Sequence, residues 1–240
     1  MHGSALNEAR SASSLKRRFA QYLVYPLERL SAILAKRVLA VGPDAASIYA
    51  TPYLVGNGVD TDLFKPDIKT SNPTILFVGT WEGRKRGKFL FELFTKKVLP
   101  ILPQARLTMV SDTCDEHPSV DFVKFPSDEV LATLYGKAWV FAYPSLYEGF
   151  GIAYLEAMAS GTAVIATKNP GAEYVLDSGR YAIISEDISF GSDLIELLSN
   201  EELRSGYVEQ GILRAQEFTW KAIAENHCVH YREILGNSKS

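Results

Sequence analysis

The stretch PSLYEGFGIAYLEAMASGTAVIAT, residues 144–167, decides how this chain folds. The apolar run before it, WVFAYP (139–144), reads as a buried strand stopped at Pro144. A loop holding Glu148-Gly149-Phe150-Gly151 follows, then a helix over about 151–160 and the strand TAVIAT at 162–167. Strand, glycine loop, helix and strand make one βαβ unit. The loop also aims chemistry. A helix start offers up to four unsatisfied N–H donors and roughly half a positive charge, which suits an anion. Gly149 and Gly151 carry no side chain, so a phosphate or sugar can approach the backbone closely. Glu156 lies five residues beyond Gly151, about 7 Å along the axis at ~1.5 Å per residue. Two acceptor-only carboxylates therefore flank an amide-lined pocket. A ligand with hydroxyls at both ends and phosphate between them fits that pattern, and a nucleotide sugar is one.

The same alternation extends on both sides. TILFVG (74–79) is a second buried strand ending in glycine, and Lys88 to Leu99 is a helix with Leu90, Phe91, Phe94 and Val98 on one stripe, stopped by Pro100 and Pro103. ARLTMV (105–110), VDFVKF (120–125), the helical DEVLATLYGKA (128–138), a short helical turn at Ala172–Leu176 and the strand YAII (181–184) continue the series. Strands alternating with helices cross over right-handed into a parallel sheet covered on both faces. The fold class is α/β, a doubly wound parallel sheet from about 67 to 218.

The ends differ. Residues 14–40 read as two amphipathic helical pieces hinged at Pro26, and LAVG (39–42) and YLVG (53–56) as short strands with a small helix between. NGVDTDLFKP (57–66) is rich in turn residues and reads as a linker. NEELRSGYVEQGILRAQEF (200–218) and TWKAIAENHCVHYREIL (219–235) are helical, with Thr219 placed to cap the second.

Composition removes several classes. The chain has 240 residues, 47% of them hydrophobic, and 25 basic against 28 acidic residues give a net charge of −3. That balance argues against a nucleic-acid binder. No apolar run reaches the ~20 residues of a membrane-spanning helix. MHGSALNEAR lacks the basic-then-apolar pattern of a secretory signal, and Cys114 and Cys228 form no metal-like spacing, so a cytoplasmic protein is expected. The length suits one and a half domains.

Glu148 to Glu156, E-G-F-G-I-A-Y-L-E, resembles the E-x7-E signature of the retaining GT-B glycosyltransferases of glycosyl transferases group 1. AMASGTAVIAT and PGAEYVL resemble that family's following helix, strand and loop. NGVDTDLFKP resembles its interdomain linker, and FVGTWEGRKRG its first donor-domain strand and phosphate loop. The resemblance implies a Rossmann-like donor domain at 67–235, preceded at 1–66 by a helical remnant of the acceptor-side domain and the linker. Glu148 would then contact the transferred sugar as the catalytic carboxylate. Gly149 and the backbone amides of Phe150, Gly151 and Ile152 would hold the sugar and distal phosphate, and Glu156 the ribose hydroxyls. Arg86 falls where the family has a lysine that neutralises the diphosphate. Thr80 stands where a second basic residue is common, and Arg84 or Lys85 would replace it. The side chains of Leu155, Met158 and Ile152 read as core.

Other candidates carry less. His2 has no strand before it to position it, His117 reads as a loop residue, and His227 and His230 as an ordinary helix face. Asp60 and Asp62 form a D-x-D inside the linker, where the resemblance gives them no metal role. Lys16, Arg17 and Arg18 before FAQYLVYPLERL suit either a peripheral membrane contact or a helix packed on a missing domain.

The expected reaction is transfer of a sugar from a nucleoside diphosphate sugar to a hydroxyl acceptor, with retention and without a metal or other cofactor. The alternatives are an incomplete donor-binding module that needs a partner chain, and a nucleotide-sugar epimerase.

Overall fold

In the computed structural model, which describes residues 15–236, six short strands form one wholly parallel sheet. They are β1 (Thr74–Val78), β2 (Arg106–Val110), β3 (Val120–Val123), β4 (Val140–Tyr143), β5 (Ala163–Thr167) and β6 (Ile183–Ser185), in the order β3-β2-β1-β4-β5-β6. This is the doubly wound, Rossmann-like order, which reverses between β1 and β4, where Ile75 pairs with Val140 and Leu76 with Phe141. Ile75, Leu76, Phe77 and all of β4 are buried, as strands covered on both faces must be.

The helices are α1 (Leu15–Leu34), α2 (Pro43–Tyr49), α3 (Gly87–Leu93), α4 (Asp128–Lys137), α5 (Ile152–Ala159), α6 (Pro170–Val175), α7 (Phe190–Ser199), α8 (Glu201–Gln216) and α9 (Trp220–Gly236). Side chains cap four of their starts. Ser127, Asn169, Asn200 and Thr219 each accept the N–H three residues on, the last confirming the cap expected at Thr219. The helix expected over Lys88–Leu99 is α3 continued by a π-helical turn, Phe94–Val98, and its Leu90, Phe91, Phe94 and Val98 are buried as the stripe required.

The N-terminal segment departs from expectation in three ways. First, α1 continues through Pro26 as one helix, and the proline removes one hydrogen bond of the ladder. Second, the strands expected at 39–42 and 53–56 shrink to one parallel bridge, Ala40 to Leu54, since no further strand among the described residues extends them. Third, the segment expected as a linker is not loose. Residues 55–59 are buried, and Val59 bridges to Thr219 just before α9. Asp60 Oδ1 accepts the N–H groups of Asp62 and Leu63 at 3.0 and 3.1 Å, so the D-x-D aspartate closes a turn.

Phe19, Leu23, Leu27, Leu30 and Leu34 form an exposed stripe along α1, although Arg29 ties the helix to the Ile48 carbonyl of α2. Among the described residues no helix is long and apolar enough to cross a membrane. His2 lies outside the described residues.

Candidate functional site

The loops after β1 and β4 leave the sheet side by side at the point where the strand order reverses, where doubly wound sheets open a crevice. The first makes a 3₁₀ turn, Gly83–Lys85, followed by Arg86 in the left-handed conformation at φ 63°. The second runs from Ser145 to Gly151. Leu146 N–H donates to the Arg84 carbonyl at 2.9 Å and stitches the two together.

Glu148 lies where they meet and is only 7% exposed. Its Oε1 accepts from Ser145 Oγ at 2.6 Å, Arg84 Nη1 at 2.7 Å and Lys85 Nζ at 2.7 Å. Two cations and a hydroxyl thus offset the cost of burying one carboxylate. Lys85 also donates to the Tyr143 hydroxyl at the end of β4, and its ammonium sits 4.6 Å from that ring's centre. Burial holds the Lys85 amine below its ordinary pKa, with Glu148 working against that shift. The backbone beneath is anchored too, because Gly171 N–H donates to the Glu148 carbonyl at 2.8 Å. Thr167 Oγ1 and Asn169 Nδ2 fasten the Ser145 carbonyl at 2.7 and 3.1 Å.

The helix start is open. Gly151, in the left-handed region at φ 93°, precedes α5 and supplies no side-chain cap. The N–H groups of Phe150, Gly151 and Ile152 take no part in the backbone bonds around the loop. Phe150 points inward, its ring 6.0 Å from Tyr174 and 5.8 Å from Phe218. Leu155 and Met158 are core as expected. Ile152 is not, at 41% exposed, because the first turn of α5 faces the crevice.

Glu156 is half-buried on α5, and burial raises its carboxyl above the usual range. The Tyr135 hydroxyl lies beside it, close enough to favour its carboxylate form yet short of a formed hydrogen bond. A carboxyl whose folded pKa is raised stabilises the fold below the unfolded value of 4.5, and that contribution is lost as pH rises through the folded pKa. Glu156→Gln should therefore raise the melting temperature of the ligand-free protein at pH 7 by a few degrees, with the gain vanishing near pH 4. A parallel pair of melting curves from pH 4 to 8 checks this, and a constant offset would contradict it.

The structure therefore brings Arg84, Lys85, Glu148, Gly149 and Gly151 into one crevice, with Glu156 farther along the same helix. Arg86 sends its guanidinium elsewhere. It forks onto Asp187, both bonds 2.7 Å, and lies 4.0 Å over the Phe89 ring. Sequence reasoning did not single out Ser145, Tyr143, Tyr147 or Gly171. Ser145 and Tyr147 sat inside the decisive stretch, and Gly171 inside PGAEYVL, but hydroxyls and small residues there match turn chemistry equally well.

A parallel Rossmann-like domain with its crevice at the reversal point is the α/β class to which GT-B glycosyltransferases belong. The profile described as glycosyl transferases group 1 matches residues 59–214, more than half of the chain, and the chain belongs to that family. A phosphatidyl-myo-inositol mannosyltransferase of Mycolicibacterium smegmatis is 26% identical over 215 residues, 82% of this chain and 54% of its own length. A probable sucrose-phosphate synthase of Thermosipho melanesiensis is 29% identical over 196 residues, 73% of this chain and 46% of its own. The chain thus spans about half the length of the curated relatives it matches. The solved sucrose-phosphate synthase of Thermosynechococcus elongatus superposes at a TM-score of 0.78 over 98% of this chain and 67% of its own, with 21% identity.

Proposed function

We propose that residues 67–235 are the donor-binding domain of a retaining glycosyltransferase that moves a sugar from a nucleoside diphosphate sugar to a hydroxyl acceptor. Residues 1–66 would be part of the acceptor-side domain and the linker. One observation carries the reading. A buried carboxylate, Glu148, sits with Arg84 and Lys85 beside an uncapped helix start whose amides are unspent. That arrangement has a place for each part of the donor.

The distal phosphate would lie on the amides of Phe150, Gly151 and Ile152, with Arg84 and Lys85 beside the diphosphate, and Arg86 would join them only by leaving Asp187. Glu148 would accept hydroxyls of the sugar, and Glu156 those of the ribose. The anomeric C–O bond to phosphate breaks, the acceptor oxygen bonds to that carbon, and the acceptor's proton passes to the departing diphosphate. Negative charge builds on the departing diphosphate, and pre-placed donors at a helix start are worth most there. The proposal asks for no metal, since the side chains and the helix supply the positive charge.

A second reading, a donor module that needs a further chain for transfer, draws on the exposed stripe of α1 and the half-length match to relatives. In that reading α1 would pack on the acceptor-side domain that the further chain supplies.

A thermal-shift panel of UDP-, GDP- and ADP-sugars tests the proposal. One nucleotide class should raise the melting temperature, since a ligand at a hundredfold excess over Kd adds about 2.7 kcal/mol to stability. No shift with any of them would count against a nucleotide-sugar site. Transfer by the isolated chain would favour the enzyme, and binding without transfer the module.

A further inference from the structure

Residues 147–149 are gripped by three elements far apart in sequence. From the β1 loop, Arg84 Nη1 donates to the Tyr147 carbonyl as well as to the Glu148 carboxylate. From α6, Gly171 N–H holds the Glu148 carbonyl, and a Cβ on Gly171 would stand 2.8 Å from that oxygen. The third grip comes from the N-terminal segment, outside the sheet. Tyr147 donates its hydroxyl to Asp44 Oδ2 on α2. Beside it the backbones touch, for a Cβ on Gly42 would stand 2.4 Å from the Gly149 carbonyl oxygen. Pro43 opens α2 with its fixed φ, and α2 packs on α6, so Asp44 sits on a braced support.

We propose that Asp44 is a positioning residue. By holding the Tyr147 ring it fixes the peptide that carries Glu148 and so aims that carboxylate at the sugar end of the donor. The inference rests on the reading of Glu148 given above. The main chain of Tyr147 is tied from the donor-domain side and its side chain from the N-terminal side. Loss of the hydroxyl bond frees only the second tie. The loop then keeps its place over the phosphates, while Glu148 can drift by a fraction of an ångström, and misplacement of about 1 Å can cost ~100-fold.

The test compares each nucleotide sugar with its free nucleotide, UDP-glucose with UDP, GDP-mannose with GDP and ADP-glucose with ADP, by calorimetric titration of the 240-residue chain. Tyr147→Phe and Asp44→Ala should weaken the sugar nucleotide about tenfold and leave the free nucleotide within about twofold. Asp44→Asn, which keeps an acceptor oxygen, should retain most of the preference for the sugar. Equal weakening of both ligands, or no change in either, overturns the positioning role. Glu148→Gln separates the two claims. If it leaves sugar preference intact, the reading of Glu148 falls. If it removes the preference while Tyr147→Phe and Asp44→Ala do not, only the role of Asp44 falls. Failure of all three pairs to bind the wild-type chain overturns both.

Discussion

Glu148→Ala should reduce sugar transfer by about 100-fold or more, the range found when one pre-placed polar group is removed from a transition-state site. It should also destabilise the protein. The carboxylate is the shared counter-charge of Arg84 and Lys85 and the acceptor for Ser145. Stripping one partner from a buried ion pair costs about 3–5 kcal/mol because the other is left uncompensated. Arg84 is about half exposed and water will relieve part of that penalty, so a loss near 3 kcal/mol is the expected size. At ~2–4 °C per kcal/mol for a chain of this length, the melting temperature should fall by roughly 6–12 °C. Glu148→Gln keeps an acceptor oxygen and the side-chain volume, so it should melt closer to wild type and still lose most turnover. Wild-type turnover in Glu148→Gln would remove Glu148 from the reaction.

Gly151→Ala should strike both stability and donor binding. The residue sits at φ 93°, a region that disfavours any side chain, and its Cβ would stand 2.4 Å from the Tyr154 ring. That ring cannot swing away. It is fully buried, packs edge-on to Tyr143 at 5.5 Å, and its hydroxyl accepts from Asn169 Nδ2 at 3.1 Å. Backbone strain near 1–2 kcal/mol and overpacking of 1–3 kcal/mol together predict a loss of about 3 kcal/mol. Relief must come from shifting the first turn of α5, which turns the amides of Phe150 and Ile152 away from the crevice. The nucleoside diphosphate should therefore bind at least tenfold more weakly, unlike the sugar-selective loss expected for Tyr147→Phe. Unchanged melting and unchanged nucleotide affinity would show that α5 can start without the glycine.

The sheet was legible because buried parallel strands write themselves as unbroken apolar runs. TILFVG, ARLTMV and TAVIAT need no partner to be recognised, and each contains the strand observed. The helix α7 was passed over although Phe190, Leu194, Leu197 and Leu198 keep helical spacing and are buried. Gly191 and a stretch of serine and aspartate at its start disguise it as a loop. In the site, carboxylates and glycines were found from the order of strand, loop and helix. What each cation does was not, because Arg84, Lys85 and Arg86 are consecutive and only the 3₁₀ turn decides which way each faces. The turn directs the first two to Glu148 and the third to Asp187, a residue 101 positions away. The tie between Asp44 and Tyr147 spans 103 positions and carries no local signal at all.

On the proposed reading, the start of α5 receives the phosphate of a nucleotide sugar. Backbone amide shifts of the nitrogen-15-labelled chain, followed during titration with the sugar nucleotide that raises its melting temperature, test this directly. The amides of Phe150, Gly151 and Ile152 should move first and farthest, with Glu148 and the 84–86 loop next. Saturable binding that shifts amides elsewhere and leaves those three unmoved would contradict it.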